Sequence, residues 1–337
     1  MTQPSEKSVF LIAAGGVTLA IVALLFVPSP KATAGNGGAV SASQPASQPA
    51  SQPASGITPK PAETTKIIRP QTPANGQVTA SDFPFQDYEI LLRKFQDEEG
   101  LVDYAALANA GKNDLEALVN IIAETDLNSL SQLRDAEYSA WYINAYNILT
   151  LKTIVDHYPL KSIMDIDQPW DTPLIVAGRE LTLNQIEHDV LRLQNSPTEE
   201  RRAFVDPSLH FAVNCASIGC PRLQDVPFTQ ANLQELYLKG ARDFVANPVQ
   251  FQFTDGEWKI SQLMDWYGDD FTLHYAGESA ELAKNLAARG VDQPEKLAAV
   301  AWYFSGIVKD QELAKKLREG NYDVTWMEYD WNLNKQP

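Results

Sequence analysis

The densest run of residues capable of chemistry extends from His210 to Pro221 and contains both cysteines of the chain, Cys215 and Cys220. Small residues and Gly219 allow a tight turn between the two thiols. The thiols could form a disulfide, which an oxidising compartment permits, or either could be an inert buried thiol. Cys215 could instead be a thiolate nucleophile with a histidine as its base. His210, Cys215 and Cys220 could also bind zinc, which would need a further ligand.

The local pattern predicts where these side chains point. Residues 209–213 have the apolar character of a short strand, in which His210 and Asn214 would share one face. Cys215 would then belong to the opposite face or to the loop that follows. This geometry counts against His210 as the base for Cys215 and favours His188.

Glu187 and His188 form a second candidate group. The apolar residues of a predicted helix over residues 183–193 place Glu187 beside its buried stripe, while His188 points about 100° away. A carboxylate near a core face needs a raised pKa or a specific partner. Glu187 could be a structural hydrogen-bond hub and His188 a surface imidazole, or one of them could be a general base or ligand.

A long helix is predicted from Asp135 to Tyr158, where Pro159 ends it. Asn144 falls on the apolar stripe of this helix, and a buried amide is costly unless its donors and acceptors are paired. Asn144 could pin a neighbouring backbone segment. In a catalytic role it could orient an imidazole or form an oxyanion hole.

Around these candidates the sequence predicts mainly helices. Apolar spacing predicts further helices at residues 88–95, 115–122, 279–288 and 294–304. Two hairpins are predicted, with turns at Ala177-Gly178 and Asp255-Gly256, and a last strand at residues 322–329. Because the strands come as hairpins and not as βαβ units, we expect an α+β fold, a mostly helical single domain with a small antiparallel sheet.

Residues 1–79 are predicted to lie outside the globular domain. After a short tail (residues 1–8), the uncharged residues 9–27 could cross a hydrocarbon layer of ~30 Å, which favours a transmembrane anchor over a cleaved signal peptide. Residues 28–79, rich in Pro, Ala, Ser and Gln, predict a disordered linker. We therefore expect a single-pass cell-membrane protein whose domain (residues 80–337) is extracytoplasmic (periplasmic), or a secreted one if the segment is cleaved.

The charge distribution narrows the possible partners. The formal net charge is −16, and residues 1–79 hold five basic and two acidic residues, so the acidic excess lies in the predicted domain. Such a domain repels phosphate backbones, and we expect no nucleic-acid partner. No cofactor is predicted, since the sequence has no Gly-rich phosphate loop and no His-Glu-x-x-His or Gly-x-Ser-x-Gly motif.

Five motifs, in order, resemble the domain of unknown function 547 family over roughly residues 80–337. They are Trp141–Asn147, Leu183–Arg192, Asp206-Pro207 with His210–Ser217 and Cys220-Pro221, Trp266–Phe271, and Tyr329–Asn334. The resemblance implies an uncharacterised function and adds Trp141, Asn147, Asn214 and Ser217 as candidate binding residues. It also suggests a distant relation to papain-like and transglutaminase-like folds, although the central helix here carries Asn144 where those enzymes have a nucleophilic cysteine.

The leading hypothesis from the sequence is a thiol-dependent hydrolase or acyl-transferase that acts on peptide or amide bonds outside the cytoplasm. Cys215 would be the nucleophile, His210 or His188 would be its base, and Glu187 or Asn144 would orient the imidazole. The alternatives are a membrane-tethered binding module for a peptide, glycan or partner protein, and a zinc-binding domain. Each hypothesis requires that the three stretches around positions 144, 188 and 215 meet in space.

Overall fold

The long helix predicted from the sequence runs through the core of the computed structural model, which describes residues 76–193 and 205–337. This central helix (Asp135–His157) has acidic residues in its first turn, and the Glu137 carboxylate accepts the Arg134 backbone N–H at 3.1 Å. It ends before Pro159, because proline cannot continue a helix. Most of its side chains from Ala140 to Val155 are buried, so other elements cover it on all sides.

Shorter helices surround the central helix. Before residue 166 the α-helices are Phe85–Phe95, Tyr104–Ala106, Lys112–Glu124 and Leu127–Leu130, with a π-helix at Leu107–Gly111 and 3₁₀ helices at Ala80–Asp82 and Ile163–Asp165. After it come a π-helix at Gln185–Leu191, a 3₁₀ helix at Pro207–Phe211, and α-helices Leu233–Ala246, Leu263–Tyr275, Ala280–Ala288, Pro294–Ile307 and Gln311–Glu319. The predicted helices are confirmed, and Leu233–Ala246, Leu263–Tyr275 and Gln311–Glu319 are additional.

Both predicted hairpins are confirmed. The strands are β1 (Leu174–Val176) with β2 (Arg179–Leu181), and β3 (Phe251–Thr254) with β4 (Glu257–Ser261). In each two-residue turn both positions have positive φ, 51° and 71° at Ala177 and Gly178, and 54° and 81° at Asp255 and Gly256. Two such residues match the right-handed twist of the strands, which explains the X-Gly signal. The fold is therefore α+β, as predicted, with helices dominant.

The last strand, β5 (Asp323–Met327), joins β4 in parallel, so the three-stranded sheet is mixed and not purely antiparallel. The C-terminal segment (residues 329–336) then crosses the loop that carries the cysteines. Gly219 donates its N–H to the Asp330 carbonyl at 2.8 Å. A Cβ at Gly219 would lie 2.9 Å from the Asp330 nitrogen, so glycine is needed there for this close approach and not for the turn that we predicted.

Buried apolar side chains form two clusters. The first surrounds the central helix, and the second surrounds the helix Pro294–Ile307 and the mixed sheet. Trp331 of the C-terminal segment packs against both clusters. Ala212, Val213 and Ala216 belong to the first cluster and Cys220 to the second, so the loop that carries the cysteines lies where the two clusters meet.

The strand predicted at residues 209–213 is wrong. This stretch belongs to the 3₁₀ helix Pro207–Phe211, which begins with Asp206 as N-cap. The Asp206 carboxylate accepts the Ser208 N–H at 2.9 Å, and proline is well suited to the first helical position. The argument that placed His210 and Cys215 on opposite faces of a strand therefore fails.

The predicted tail, transmembrane or signal segment and nearly all of the linker lie outside the described residues. Within residues 76–193 and 205–337, no helix is long and apolar enough to cross a membrane. Val78 is already buried and bridges to Thr125, so packing of the domain begins just before the predicted boundary at residue 80.

Candidate functional site

Two asparagines shape the loop that carries Cys215. Asn147 on the central helix donates to the Ala212 carbonyl at 3.0 Å and accepts the Asn214 backbone N–H at 2.8 Å. The Asn214 side chain accepts the Ala216 N–H at 2.9 Å, which stabilises the left-handed backbone of Ala216 (φ 61°). Both predicted binding residues are buried, and their amides position the loop from beneath.

The Cys215 sulfur lies in a cluster of hydrogen-bond donors. It is 2.9 Å from the Tyr329 hydroxyl and 3.2 Å from the Ser217 hydroxyl, and these two oxygens are 2.8 Å apart. Cys220 accepts the Cys215 backbone N–H on its sulfur at 3.0 Å. Both cysteines are free thiols, so the disulfide considered from the sequence is not formed, and Ser217 supports the sulfur from a buried position.

These donors distinguish the two thiols electrostatically. Hydrogen bonds from the Cys220 thiol, Ser217 and Tyr329 lower the pKa of Cys215 because they stabilise the thiolate more than burial disfavours it. Burial raises the pKa of Cys220 well above its ordinary value, so Cys220 stays protonated and can donate. Cys215 is also the more exposed of the two, and partial exposure with a lowered pKa is typical of a reactive cysteine.

Glu187 lines the cleft from the π-helix Gln185–Leu191 and is buried, which fits its predicted place beside the apolar stripe. The wide π turn closes with an Arg192 N–H to Glu187 carbonyl bond of 2.9 Å. The Glu187 carboxylate accepts the Tyr146 hydroxyl at 3.0 Å. Burial and the negative charge of Glu187 raise the pKa of Tyr146 and that of Tyr267. Both tyrosines therefore remain protonated and can donate.

His188 contacts Arg192 and does not line the cleft. Its Nδ1 lies 2.8 Å from the Arg192 guanidinium and 3.9 Å from the nearer Glu187 oxygen. Since a guanidinium can only donate, Nδ1 accepts this hydrogen bond. His188 is not among the residues that line the cleft, and the sequence preference for it as the base of Cys215 does not fit this arrangement.

His210 belongs to a buried polar chain beneath the cleft. Its Nε2 lies 2.9 Å from Asp270, whose carboxylate also accepts the Arg192 Nε–H at 2.7 Å. Burial would raise the pKa of Asp270, but these two hydrogen bonds outweigh it and hold that pKa well below its ordinary value. Burial lowers the pKa of His210, so its imidazole is neutral, donates from Nε2 to Asp270 and keeps a lone pair on Nδ1.

Cys215 and Glu187 open into one cleft with a volume of about 320 Å³. Most of its wall is aromatic. The lining residues are Tyr146, Trp170, Asn184, Glu187, Cys215, Leu263, Trp266, Tyr267, Tyr329 and Trp331. Below it, a chamber of about 30 Å³ is lined by His210 as well as Cys215 and Glu187, and a volume of this size can hold a water molecule. The stretches around positions 188 and 215 therefore meet, and the stretch around position 144 reaches the same cleft through Tyr146 and not through Asn144.

Asn144 and Trp141 do not contribute to this cleft. The Asn144 amide donates to the Phe228 carbonyl at 2.7 Å and accepts the Phe228 N–H at 2.9 Å. It pins a neighbouring backbone segment, and the catalytic role considered for it is wrong because both ends of its amide are occupied. Trp141 is buried in the first core against Phe83 and Tyr142, away from the proposed binding surface.

The pinning role predicts a loss of stability on Asn144→Ala substitution. The change would leave a buried N–H and a buried carbonyl of Phe228 unpaired, and we expect the free energy of unfolding to fall by about 2–4 kcal/mol. Urea unfolding followed by tryptophan fluorescence measures this loss. Asn109→Ala is the control, because Asn109 is exposed and its side chain donates only to the Ala105 carbonyl four residues earlier. Equal stability of the two variants would contradict the pinning role.

Several residues of the site were not singled out by sequence reasoning. Asp270, Tyr267 and Tyr329 lie 52 to 114 positions from Cys215 in the chain, and no spacing rule connects them. Their only signal was membership of the motifs Trp266–Phe271 and Tyr329–Asn334. Those motifs suggested a shared structure and assigned no role to any of their residues.

Comparison with known proteins identifies the segment at the centre of this site. The model of the family "Protein of unknown function, DUF547" matches residues 130–245. Residues 130–245 are a DUF547 domain. The match confirms the resemblance over the first three motifs and contains Glu187, His210 and Cys215. Asp270 and the C-terminal segment lie beyond the matched residues, so the site is completed by elements outside the match.

No curated protein and no solved structure is significantly similar to the chain. The predicted relation of the DUF547 domain to papain-like and transglutaminase-like folds therefore has no support. The predicted zinc site has none either, because no group of three or more His, Cys, Asp or Glu within residues 76–193 and 205–337 is placed to hold a metal ion. His210 is instead paired with Asp270.

Proposed function

We propose that this DUF547 protein is a thiol-dependent hydrolase or acyl-transferase that acts on peptide or amide bonds, with Cys215 as nucleophile. The observation that carries the proposal is a partly exposed sulfur with three hydrogen-bond donors, set in an aromatic cleft above a neutral, Asp-paired imidazole. A lowered thiol pKa together with a histidine held by a carboxylate is the arrangement that activates sulfur nucleophiles.

His210 is the proposed base. The Cys215 proton passes to His210 Nδ1 through a water in the chamber that both residues line. The sulfur then forms a bond to the substrate carbonyl carbon, and collapse of the tetrahedral intermediate breaks the C–N bond while the imidazolium returns the proton to the leaving amine. Water or a second amine attacks the thioester, which releases a carboxylic acid or a new amide and regenerates the thiol.

Asp270 fixes the imidazole for this step. Because its carboxylate accepts from Nε2, the Nδ1 lone pair is left for the proton transfer, and the positive charge that forms on His210 is stabilised. Tyr329 and Ser217 stabilise the thiolate before attack. Glu187 takes no part in orienting an imidazole in this scheme, since its carboxylate is held by Tyr146 in the cleft wall.

The proposed site of action is outside the cytoplasm. Residues 9–27 would tether the protein to the cell membrane as a single pass, and residues 28–79 would hold the domain clear of the bilayer surface. Peptides or proteins in the periplasm would then be its substrates. Cleavage after the apolar segment would release the same domain as a secreted protein.

Selective alkylation tests the thiol assignment. In folded, reduced full-length protein, iodoacetamide is expected to modify Cys215 and to leave buried Cys220 intact, as read by peptide mass spectrometry. The pH at which Cys215 is labelled at half its maximal rate should lie below ~8.5, the ordinary pKa of a thiol. Tyr329→Phe removes one thiolate donor, so it should move this midpoint upward and slow labelling several-fold at neutral pH, with the rates converging near pH 10.

Tyr322→Phe is the matched control, because that buried hydroxyl bonds to the Leu317 carbonyl and not to the sulfur. It should leave the labelling midpoint unchanged. If Cys215 is not labelled at any pH below 9, the enzyme proposal fails and the binding module considered from the sequence is favoured.

A further inference from the structure

Glu187 is a buried carboxylate in the wall of the cleft. It is 6% exposed, and it accepts the Tyr146 hydroxyl at 3.0 Å. An ionised carboxylate can only accept hydrogen bonds, and the cleft wall supplies it with a donor.

That charge has no cationic partner among the described residues. Within 4.0 Å of the carboxylate the only basic group there is His188, at 3.9 Å, and its Nδ1 already accepts from the Arg192 guanidinium. The Arg192 guanidinium is itself paired with Asp270 at 2.7 Å. A buried charge without a counter-ion is costly, which suggests that a ligand supplies the positive charge.

The aromatic side chains that line the same cleft as Glu187 are suited to the same ligand. Trp331 lies at the centre of this wall, with ring centroids 4.5 Å from Tyr329, 5.7 Å from Trp170 and 5.9 Å from Trp266. Trp266 is 41% exposed although it is a large apolar residue. Ring faces attract cations, tryptophan most strongly, and aromatic cages with a carboxylate are a recurrent way to bind ammonium groups.

From the unpaired carboxylate and the aromatic wall around it we infer that the substrate carries an alkylammonium group, which binds between Glu187 and the tryptophans while the reacting carbonyl lies at Cys215. The inference rests on the proposed function and specifies its substrate class. Glu187 and Cys215 line the same cleft of about 320 Å³, so the ammonium and the carbonyl belong to one small unit of the substrate. The ammonium could be a free α-amine or a lysine-like side-chain amine.

The inference can be tested with two thiol reagents that differ only in charge. Full-length protein reacts with 2-(trimethylammonio)ethyl methanethiosulfonate or with its neutral isostere, the 3,3-dimethylbutyl compound. In either case the Cys215 thiolate forms a mixed disulfide and releases methanesulfinate. The rate of each reagent with Cys215 is divided by its rate with free 2-mercaptoethanol, which corrects for intrinsic reactivity. We expect this normalised rate to be about tenfold higher for the cationic reagent than for the neutral one.

Glu187→Gln should bring this ratio close to one, since it removes the charge and keeps an acceptor for Tyr146. Glu328→Gln is the control for the acidity of the whole domain, because it is exposed, adjoins Tyr329 in sequence and changes the net charge equally. Its ratio should stay within twofold of the unsubstituted protein. Equal ratios in the unsubstituted protein and Glu187→Gln, or an equal fall in both variants, would overturn the inference.

The two proposals fail in different ways. No reaction of Cys215 with either reagent would remove the thiol enzyme, whereas reaction without charge preference would remove only the ammonium substrate. A competition experiment tests the same inference without any variant. Tetramethylammonium chloride should slow the modification of Cys215 by the neutral reagent more than sodium chloride does at the same ionic strength. Equal slowing by the two salts would count against the inference. Alanine methylamide and Nα-acetyl-lysine methylamide then distinguish an α-amine from a side-chain amine by which one protects better.

Discussion

Replacement of Cys215 by alanine is expected to abolish acyl transfer from an activated ester. In the unsubstituted protein, 4-nitrophenyl acetate should give a burst of 4-nitrophenol and an acetyl adduct on Cys215 that intact mass spectrometry detects. Without the sulfur no covalent intermediate can form, because the neighbouring Ser217 hydroxyl is buried and bonded to Tyr329. The rate should fall at least about 1,000-fold, the scale of losing a nucleophile.

Cys220→Ser provides the matched control for that loss. Its hydroxyl keeps a donor close to Cys215, so burst amplitude should persist and the rate should change by less than about tenfold. A Cys215→Ala protein that still gave an acetylated intermediate at the original rate would assign the reaction to another residue. The comparison also separates chemistry from folding, since both variants remove one sulfur from the same loop.

The parts of the fold that depend on local sequence were predictable. The central helix follows from its apolar stripe and from Pro159, and both hairpins follow from X-Gly turns that require positive φ. Residues 209–213 were misassigned because their apolar content outweighed the Asp206-Pro207 start signal, which favours a helical turn. A five-residue apolar run does not distinguish a strand from a 3₁₀ helix by periodicity.

The site was predictable only where one segment contains the information. Cys215, Glu187 and His210 could be named as candidates, since each is a reactive type in an unusual local context. Their partners Asp270 and Tyr329 come from distant segments, and they are set by how the two cores and the C-terminal segment pack. For Asn144 the sequence correctly predicted a buried position. It could not show that the amide is already paired, because its partner is the backbone of the distant residue Phe228.

His210→Gln is expected to slow acylation by about 100- to 10,000-fold, because it removes the proposed base while the sulfur and the cleft remain. Burial lowers the pKa of His210. In the unsubstituted enzyme the imidazole therefore begins to take up a proton only at a pH lower than ~6.5, the ordinary pKa of histidine. Its acylation rate at saturating ester should therefore decline at acid pH only once the pH falls below that ordinary value. In His210→Gln this acid limb should be absent, because no imidazole titrates.

Asp270→Asn separates positioning from chemistry in the same pair. The amide can donate to Nε2, which would turn the imidazole proton onto Nδ1 and occupy the lone pair that accepts the Cys215 proton. Acylation at neutral pH should then fall nearly as far as in His210→Gln, whereas the reaction with the neutral methanethiosulfonate near pH ~10, where the Cys215 thiolate forms without a base, should lose less than about tenfold. Parallel loss of both reactions would show that Asp270 only maintains the loop, and His210 would no longer be supported as the base.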